Sequence, residues 1–444
     1  MKYILDRLPK GVYKYLTNTS WLLCERITRM IVGVFVGIYV ARYLGPGQFG
    51  ILSFANSYVA LFLVFSNLGL NEILIRELVN YNDQQKQLLG TSFVLKLIGS
   101  VISIIVLMTV LQLTSNEFKT QYVVFIISCG MIFQSFSVID LYFQSKVQSK
   151  FVVWSQLISL VFSAILKLIC IYLKKDLIWF AVIFLIESIV LAVQLIIFYL
   201  KNKLSLIQWK FSFFTAKSLL SKSWKLALSG IAVSIYAKID QVMIKQMIDN
   251  EAVGYYSAAL RLSEAWYFIP MAVSSSFFPA IIKAKKKCIK SYYDHLQKLL
   301  DFLAWISILI AFPITLYSDW ILVFLFGNEY QAGGKVLAIH IWTGVFVSIG
   351  LAGGNWYIIE NYMTNYFNRT ITGLFVNITL NLVLIPKYGI NGAAYAMLIS
   401  QITASYIYDG FSKKTRKLFI MKTKSLVIFH RLKFYICSQN ERNF

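Results

Sequence analysis

Residues 17–70, TNTSWLLCERITRMIVGVFVGIYVARYLGPGQFGILSFANSYVALFLVFSNLGL, hold the reading that decides the fold. From Thr17 to Arg42 the chain is apolar for longer than the roughly 20 helical residues that a hydrocarbon core of about 30 Å requires. Gly45, Pro46 and Gly47 then stop the helix and reverse the chain. A second apolar stretch, Gly50 to Leu70, returns across the same thickness. Glu25, Arg26 and Arg29 lie inside the first stretch, where acyl chains would not tolerate them.

The same pattern repeats to the end of the chain. Windows of about 19 residues place further spans at Leu88 to Leu111, Tyr122 to Tyr142, Phe151 to Leu173, Ile178 to Leu200 and Trp224 to Met247. Five more follow at Tyr255 to Ile282, Leu296 to Leu316, Lys335 to Ile359, Thr370 to Ile385 and Gly392 to Tyr408. With 58% hydrophobic residues and a mean hydropathy of +0.65, a soluble globular domain is excluded. The expected fold class is an all-α polytopic membrane protein of about 12 transmembrane helices. DWILVFLFG, Asp319 to Gly327, is too short to span and reads as interfacial.

The net charge of +23 is explained by where the cations fall. With the N-terminus inside, the inner segments carry 28 Lys or Arg and the outer loops only Arg42, Lys119, Lys174, Lys175 and Lys387. This positive-inside asymmetry predicts that both termini are cytoplasmic, and no nucleic-acid partner is expected. The first helix carries no cleavage signal and is expected to stay as an anchor. The five Cys have no metal-ligand spacing, and the three His are widely separated, so neither a metal nor a catalytic site is expected.

The longest inner connection, residues 201–223, divides the helices six and six. The expected organisation is a bundle over 1–200, a linker over 201–223, a bundle over 224–410 and a basic cytoplasmic tail over 411–444. Ser425 to Ile436 in that tail reads as an amphipathic surface helix. An internal repeat at an offset of 204 supports two bundles: Gly50, Ser53 and Ala55 match Gly254, Ser257 and Ala259. Parallel repeats are a habit of transporters.

Ten Lys or Arg lie inside the spans, and these are the candidates for function. Glu25 and Arg29, at i and i+4, form either an intrahelical pair or, with Arg26, one wall of a wet cavity where guanidinium forks hold phosphate oxygens. Ser234, Lys238, Gln241 and Lys245 form a polar stripe that faces a cavity or a polar seam, never lipid. Lys167 shares a stripe with Gln156 and Ser163, and Lys96 lies well inside its helix. Arg26, Arg29, Lys96, Lys167, Lys238, Gln241 and Lys245 are therefore the expected cavity lining. A carboxylate that titrates in the membrane would couple transport to H+ or Na+, and Asp240, Glu187 and Asp140 are the candidates; no cofactor is expected.

Three strings carry a family resemblance: ARYLGPGQFGILSFANS at 41–57, FGNEYQAGGKVLAIHIW at 326–342 and NLVLIPKYGINGAAYA at 381–396. In order, they resemble the signatures of the Wzx-type O-antigen and polysaccharide flippases, in the MOP superfamily that also holds the MATE exporters and lipid II flippases. The resemblance implies a MATE-like fold of two six-helix bundles in a bacterial inner membrane. It implies a transporter, not an enzyme, that moves an undecaprenyl-diphosphate-linked oligosaccharide from the cytoplasmic to the periplasmic leaflet by alternating access through a cationic central cavity. Polymerase and chain-length machinery of the same pathway are the implied partners besides the bilayer, and Arg26 or Arg29 matches the family's cavity arginines. A cationic cavity would offset the desolvation of the diphosphate. The alternatives are a MATE-like drug or cation exporter, which would need an excess of buried carboxylates, and a polysaccharide polymerase or ligase, which would need a large outer loop.

Overall fold

Helix α1 (Lys10–Asn67) is broken at Gly45, whose φ of 68° and ψ of 170° no helical residue adopts. Only glycine takes this conformation without steric cost, and Pro46 beside it has no N–H with which to continue the ladder. The computed structural model describes residues 10–114 and 117–427, and every regular element among them is helical.

After α1 come α2 (Leu70–Asn80), α3 (Gln85–Thr114), α4 (Phe118–Gln134), α5 (Ser137–Ser145), α6 (Ser149–Tyr172), α7 (Leu177–Lys201) and α8 (Phe213–Met247). They are followed by α9 (Asn250–Glu264), α10 (Phe268–Lys287), α11 (Ile289–Leu316), α12 (Ser318–Phe326), α13 (Gly334–His340), α14 (Thr343–Ile359) and α15 (Met363–Tyr388). The described residues close with α16 (Ile390–Ile402), a π-helical turn (Thr403–Ile407), α17 (Tyr408–Phe411) and α18 (Arg416–Leu426). Among the described residues, ten helical stretches are long and apolar enough to cross a membrane. The first of them, Ser20–Asn80, holds both arms of α1; the span expected over Gly392 to Tyr408 forms α16, the π turn and the start of α17 and is not among the ten. DWILVFLF forms the short α12. Most of the surface helix expected over Ser425 to Ile436 lies outside the described residues, as does the tail beyond it.

The chain divides into two compact units, Met1–Ser257 and Ala258–Phe444. The division falls within α9 and not in the 201–223 connection, because α8 packs on the earlier helices. Ser57 donates a hydrogen bond to Gln241, Ser234 donates to the Ala60 carbonyl at 3.2 Å, and Gln87 Nε2 donates to Thr215 Oγ1 at 2.7 Å. At the far end of α8, Lys245 Nζ reaches Glu117 Oε1 at 2.8 Å, and Asn250 donates to the other oxygen of Glu117 at 2.7 Å.

Gly50 and Gly254, matched by the internal repeat, meet in this unit. A Cβ on Gly50 would overlap the Asn250 carbonyl oxygen, and a Cβ on Gly254 would overlap that of Pro46. Each glycine thus faces the residue four positions before the other, a two-fold arrangement in which backbone lies on backbone. Small residues permit such an approach, which in lipid replaces the hydrophobic drive with packing.

The core of the first unit gathers α2, α3, α5 and α7 around Leu74, Leu78, Phe143 and Tyr199. In the second unit Leu296, Leu300 and Leu303 of α11 pack on Ile349, Trp356 and Tyr357 of α14, with Leu418 of α18 closing the layer. Ser307 Oγ donates to Ser348 Oγ at 2.8 Å across the same helix pair, and Asn355 Nδ2 donates to Ser274 Oγ at 2.9 Å.

Candidate functional site

The polar face of the first arm of α1 opens on a cavity of about 590 Å³ inside the first unit. That volume is in the range of small-molecule sites. Trp21 and Asn18 set the arm against α6: the Trp21 and Trp154 rings lie 6.0 Å apart, and the Ser149 N–H donates to Asn18 Oδ1 at 2.7 Å. Glu25, Arg26 and Arg29 form one wall. Phe133 and Gln134 of α4, Ser137 of α5, Gln156 and Ser159 of α6 and Phe184, Glu187 and Ser188 of α7 complete the polar and aromatic lining.

Arg29 Nε bonds Glu25 Oε1 at 2.6 Å, so the expected i, i+4 pair exists and also lines the cavity. The Glu25 side chain is 8% exposed and that of Arg29 is 43% exposed, which leaves the remaining guanidinium donors facing open space. Lys167 lies behind Glu187, with its Nζ 3.4 Å from Oε2 and 4.5 Å from the Phe184 ring centroid. Arg26 is exposed and forms no ion pair among the described residues. Two carboxylates therefore stand against three cations. The surplus positive charge is that of Arg26, and around it lie amides, hydroxyls and two aromatic rings.

The other expected residues lie elsewhere. Lys96 is 2% exposed and donates to Asn71 Oδ1 at 2.8 Å and to Ser137 Oγ at 2.9 Å, so it stands behind the cavity wall and positions Ser137. Asp140 accepts from Gln144 Nε2 at 2.7 Å, and Asp240 accepts from the Tyr256 hydroxyl at 2.8 Å. On α8, Gln241 bonds the second arm of α1 and Lys245 bonds Glu117, while Lys238, half-buried about one turn before Gln241, forms no ion pair among the described residues. Of the stripe, Ser234 and Gln241 thus form a polar seam between α8 and α1.

Gln134, Ser137, Ser159 and Ser188 were not singled out in the sequence, although Ser159 falls on the stripe of Gln156, Ser163 and Lys167. Ser and Gln are unremarkable in membrane helices until their neighbours are known. Glu117 lies in the connection between α3 and α4. Hydrogen bonds from Lys245, then from Asn250 and Thr120, hold its carboxyl down at about 2 from 4.5, against the opposing effect of burial.

Comparison with known proteins places this geometry in a family. A probable low-salt glycan biosynthesis flippase of Haloferax volcanii, Agl15, is 27% identical over 203 residues, which is 45% of this chain and 42% of that protein. The chain thus spans less than half the length of that curated relative. Among solved structures, the lipid II flippase MurJ in an inward closed conformation superposes with a TM-score of 0.71 at 17% identity, over 93% of this chain and 92% of that one. An inward-facing multidrug resistance MATE family transporter of the MOP superfamily superposes with a TM-score of 0.69 at 13% identity, over 89% and 96%. The family of polysaccharide biosynthesis proteins matches residues 15–285. That match covers more than half the chain, which therefore belongs to the polysaccharide biosynthesis protein family, on the fold of the MOP-superfamily transporters.

Proposed function

We propose that the chain is a transporter that moves a polyprenyl-diphosphate-linked oligosaccharide from the inner to the outer leaflet of a cytoplasmic membrane, with both termini inside. The observation that carries this reading is the composition of the cavity in the first unit: a surplus arginine, Arg26, and the half-exposed fork of Arg29, surrounded by Gln134, Gln156, Ser159 and Ser188. Arginine forks suit phosphate oxygens, and amides and hydroxyls suit sugar hydroxyls, with Phe133 and Phe184 offering faces to sugar rings. A diphosphate in hydrocarbon would carry a desolvation cost that such a cavity offsets, while the polyprenyl tail stays in lipid. The carboxylate best placed to couple the cycle to H+ or Na+ is Glu187, at the cavity wall with Lys167 as its partner.

One observation favours a second reading. Glu25 and Glu187 put two carboxylates in the same cavity, which would suit an amphiphilic cation carried by an exporter on this fold. The two readings separate in one experiment. Purified protein in liposomes is given a fluorescent polyprenyl-diphosphate sugar or an organic cation, with Arg26→Gln and Glu187→Gln compared. The flippase reading expects flipping of the lipid-linked sugar, reduced at least roughly tenfold by Arg26→Gln, as for loss of one charge-assisted bond. Uptake of the cation alone, insensitive to Arg26→Gln and abolished by Glu187→Gln, would replace it with the exporter.

A further inference from the structure

The second unit contains a buried charge cluster that does not balance. Lys422 of α18 and Asp409 of α17 are both 0% exposed, and Lys422 Nζ lies 2.6 Å from Asp409 Oδ2 and 2.6 Å from the Ser405 carbonyl oxygen. The Tyr357 hydroxyl of α14 donates to the other oxygen of Asp409. Both oxygens of the carboxylate are thereby engaged. Arg369, early in α15, is 7% exposed and packs in the same place, its guanidinium carbon 4.9 Å from the Tyr366 ring centroid and 5.5 Å from that of Tyr357. Its Nη1 is buried with no hydrogen-bond partner, and it forms no ion pair among the described residues.

Two cations and one carboxylate leave one positive charge in a dry environment. Two aromatic faces compensate it in part, but they do not satisfy N–H donors. A buried cation held this way is costly unless an anion completes it. The π-helical turn Thr403–Ile407 points the same way. It opens the α ladder beside Ser405, whose carbonyl then holds Lys422, and π turns recur at functional sites. Glycines make the room: a Cβ at Gly350 would meet Ser405 and approach Arg369, one at Gly353 would meet Lys422, and one at Gly354 would touch Tyr366.

The cluster joins the end of α14, the start of α15, α17 and α18, beside Lys285, which pairs with Glu360 at 2.9 Å. The connections at this end of the unit carry the basic run Lys283 to Lys287 and Lys413, Lys414, Arg416 and Lys417, a composition that suits anionic headgroups. Tyr366 is 36% exposed and separates Arg369 from the outside. We propose that Arg369 anchors a site for a phosphate-class anion of single negative charge, reached by displacement of the Tyr366 ring. The guanidinium fork would take two phosphate oxygens, and the charge of the cluster would then close to zero. The phosphodiester of an anionic membrane lipid and soluble phosphate share this chemistry. The site is separate from the cavity of the first unit and does not depend on what that cavity carries.

The full-length protein is purified into nanodiscs of phosphatidylcholine alone or with phosphatidylglycerol, and separately into detergent with inorganic phosphate. Melting temperature and lipids retained in native mass spectrometry are read for wild type, Arg369→Gln and Arg369→Lys. The expected result is a phosphatidylglycerol-specific rise in melting temperature and retention of that lipid by wild type. Arg369→Gln should lose the increment, and Arg369→Lys, which keeps the charge but not the fork, should bind roughly tenfold more weakly. Equal protection by inorganic phosphate in detergent, lost in Arg369→Gln, would assign the site to a soluble anion. If Arg369→Gln does not fold, the lysine variant decides: retention equal to wild type overturns the site. So does a wild type with no preference for phosphatidylglycerol or phosphate.

Discussion

Replacing Lys422 with Met removes a cation and keeps most of its aliphatic stem. Lys422 makes two contacts of 2.6 Å in a place that solvent does not reach, and its loss leaves the Asp409 carboxylate with the Tyr357 hydroxyl as its side-chain donor. Breaking a buried pair from one side typically costs about 3–5 kcal/mol, because the remaining charge stays buried. For a unit of this size each kcal/mol moves the melting temperature by about 2–4 °C, so the expected fall is ~6–20 °C. The pair itself adds little, since desolvation of both ions offsets their attraction. Lys422→Met with Asp409→Leu should therefore recover most of the loss. The assay is thermal unfolding of the purified protein in detergent, followed by tryptophan fluorescence, for wild type, both single variants and the double variant. A single Lys422→Met variant within about 2 °C of wild type, less than one kcal/mol on that scale, would refute the reasoning. It would mean that Arg369 turns to take over Asp409. A double variant no better than the single would refute it equally.

Three other outcomes are expected. Burial pushes the Lys422 amine down to about 8 from 10.5, with Arg369 acting in the same direction and Asp409 opposing; α18 follows the last apolar span. Between those two values the unfolded chain holds the proton that the folded chain has released, so stability should rise with pH above about 8, and Lys422→Met should lack this rise in melting temperature. Glu117, held down at about 2 against 4.5, contributes stability that is full above 4.5 and lost as pH falls towards 2. Its side chain is 49% exposed, so Glu117→Gln should cost ~1 kcal/mol or less, yet it should speed hydrogen exchange at residues 244–254; unchanged exchange would show that Lys245 and Asn250 need no such partner. Gly50→Ala and Gly254→Ala should each cost about 1–3 kcal/mol through overlap with a carbonyl that cannot rotate away. Since both act on one crossing, the double variant should fall short of the sum in melting experiments, and strict additivity would argue against a shared contact.

The helix pairs were legible because length and hydropathy decide them, and the Gly45–Pro46 break because both residues forbid a continuous helix. Glu25 with Arg29 was also legible, since i, i+4 geometry needs no knowledge of other helices. Burial of the remaining charges was not, because it depends on which helix covers them. Lys96 reads as a cavity cation, but Asn71 and Ser137 enclose it. Arg369 and Lys422 count as connection and tail residues in the positive-inside tally, where any Lys or Arg outside a span is presumed wet. Docking of α18 on α11, through Gln297 Nε2 and the Met421 carbonyl at 3.0 Å, is what buries Lys422. The unit boundary was illegible for the same reason: the 201–223 connection is the longest, but the partners of α8 decide where contacts divide.

The meeting of Gly50 with Gly254 has a bearing on symmetry. A contact in which position i of each half faces position i−4 of the other is the geometry of an isologous dimer interface, where one patch meets its own copy. Two identical half-length chains would form it with a single glycine, and every substitution there would be felt twice. Joined end to end, the halves make the same contact from separately encoded sides. Asn250 and Pro46 already occupy equivalent positions with different residues. A single chain can thus carry the sharp turn of Gly45–Pro46 on one side and the polar tie of Asn250 to Glu117 on the other, an asymmetry that no symmetric pair of identical chains could encode.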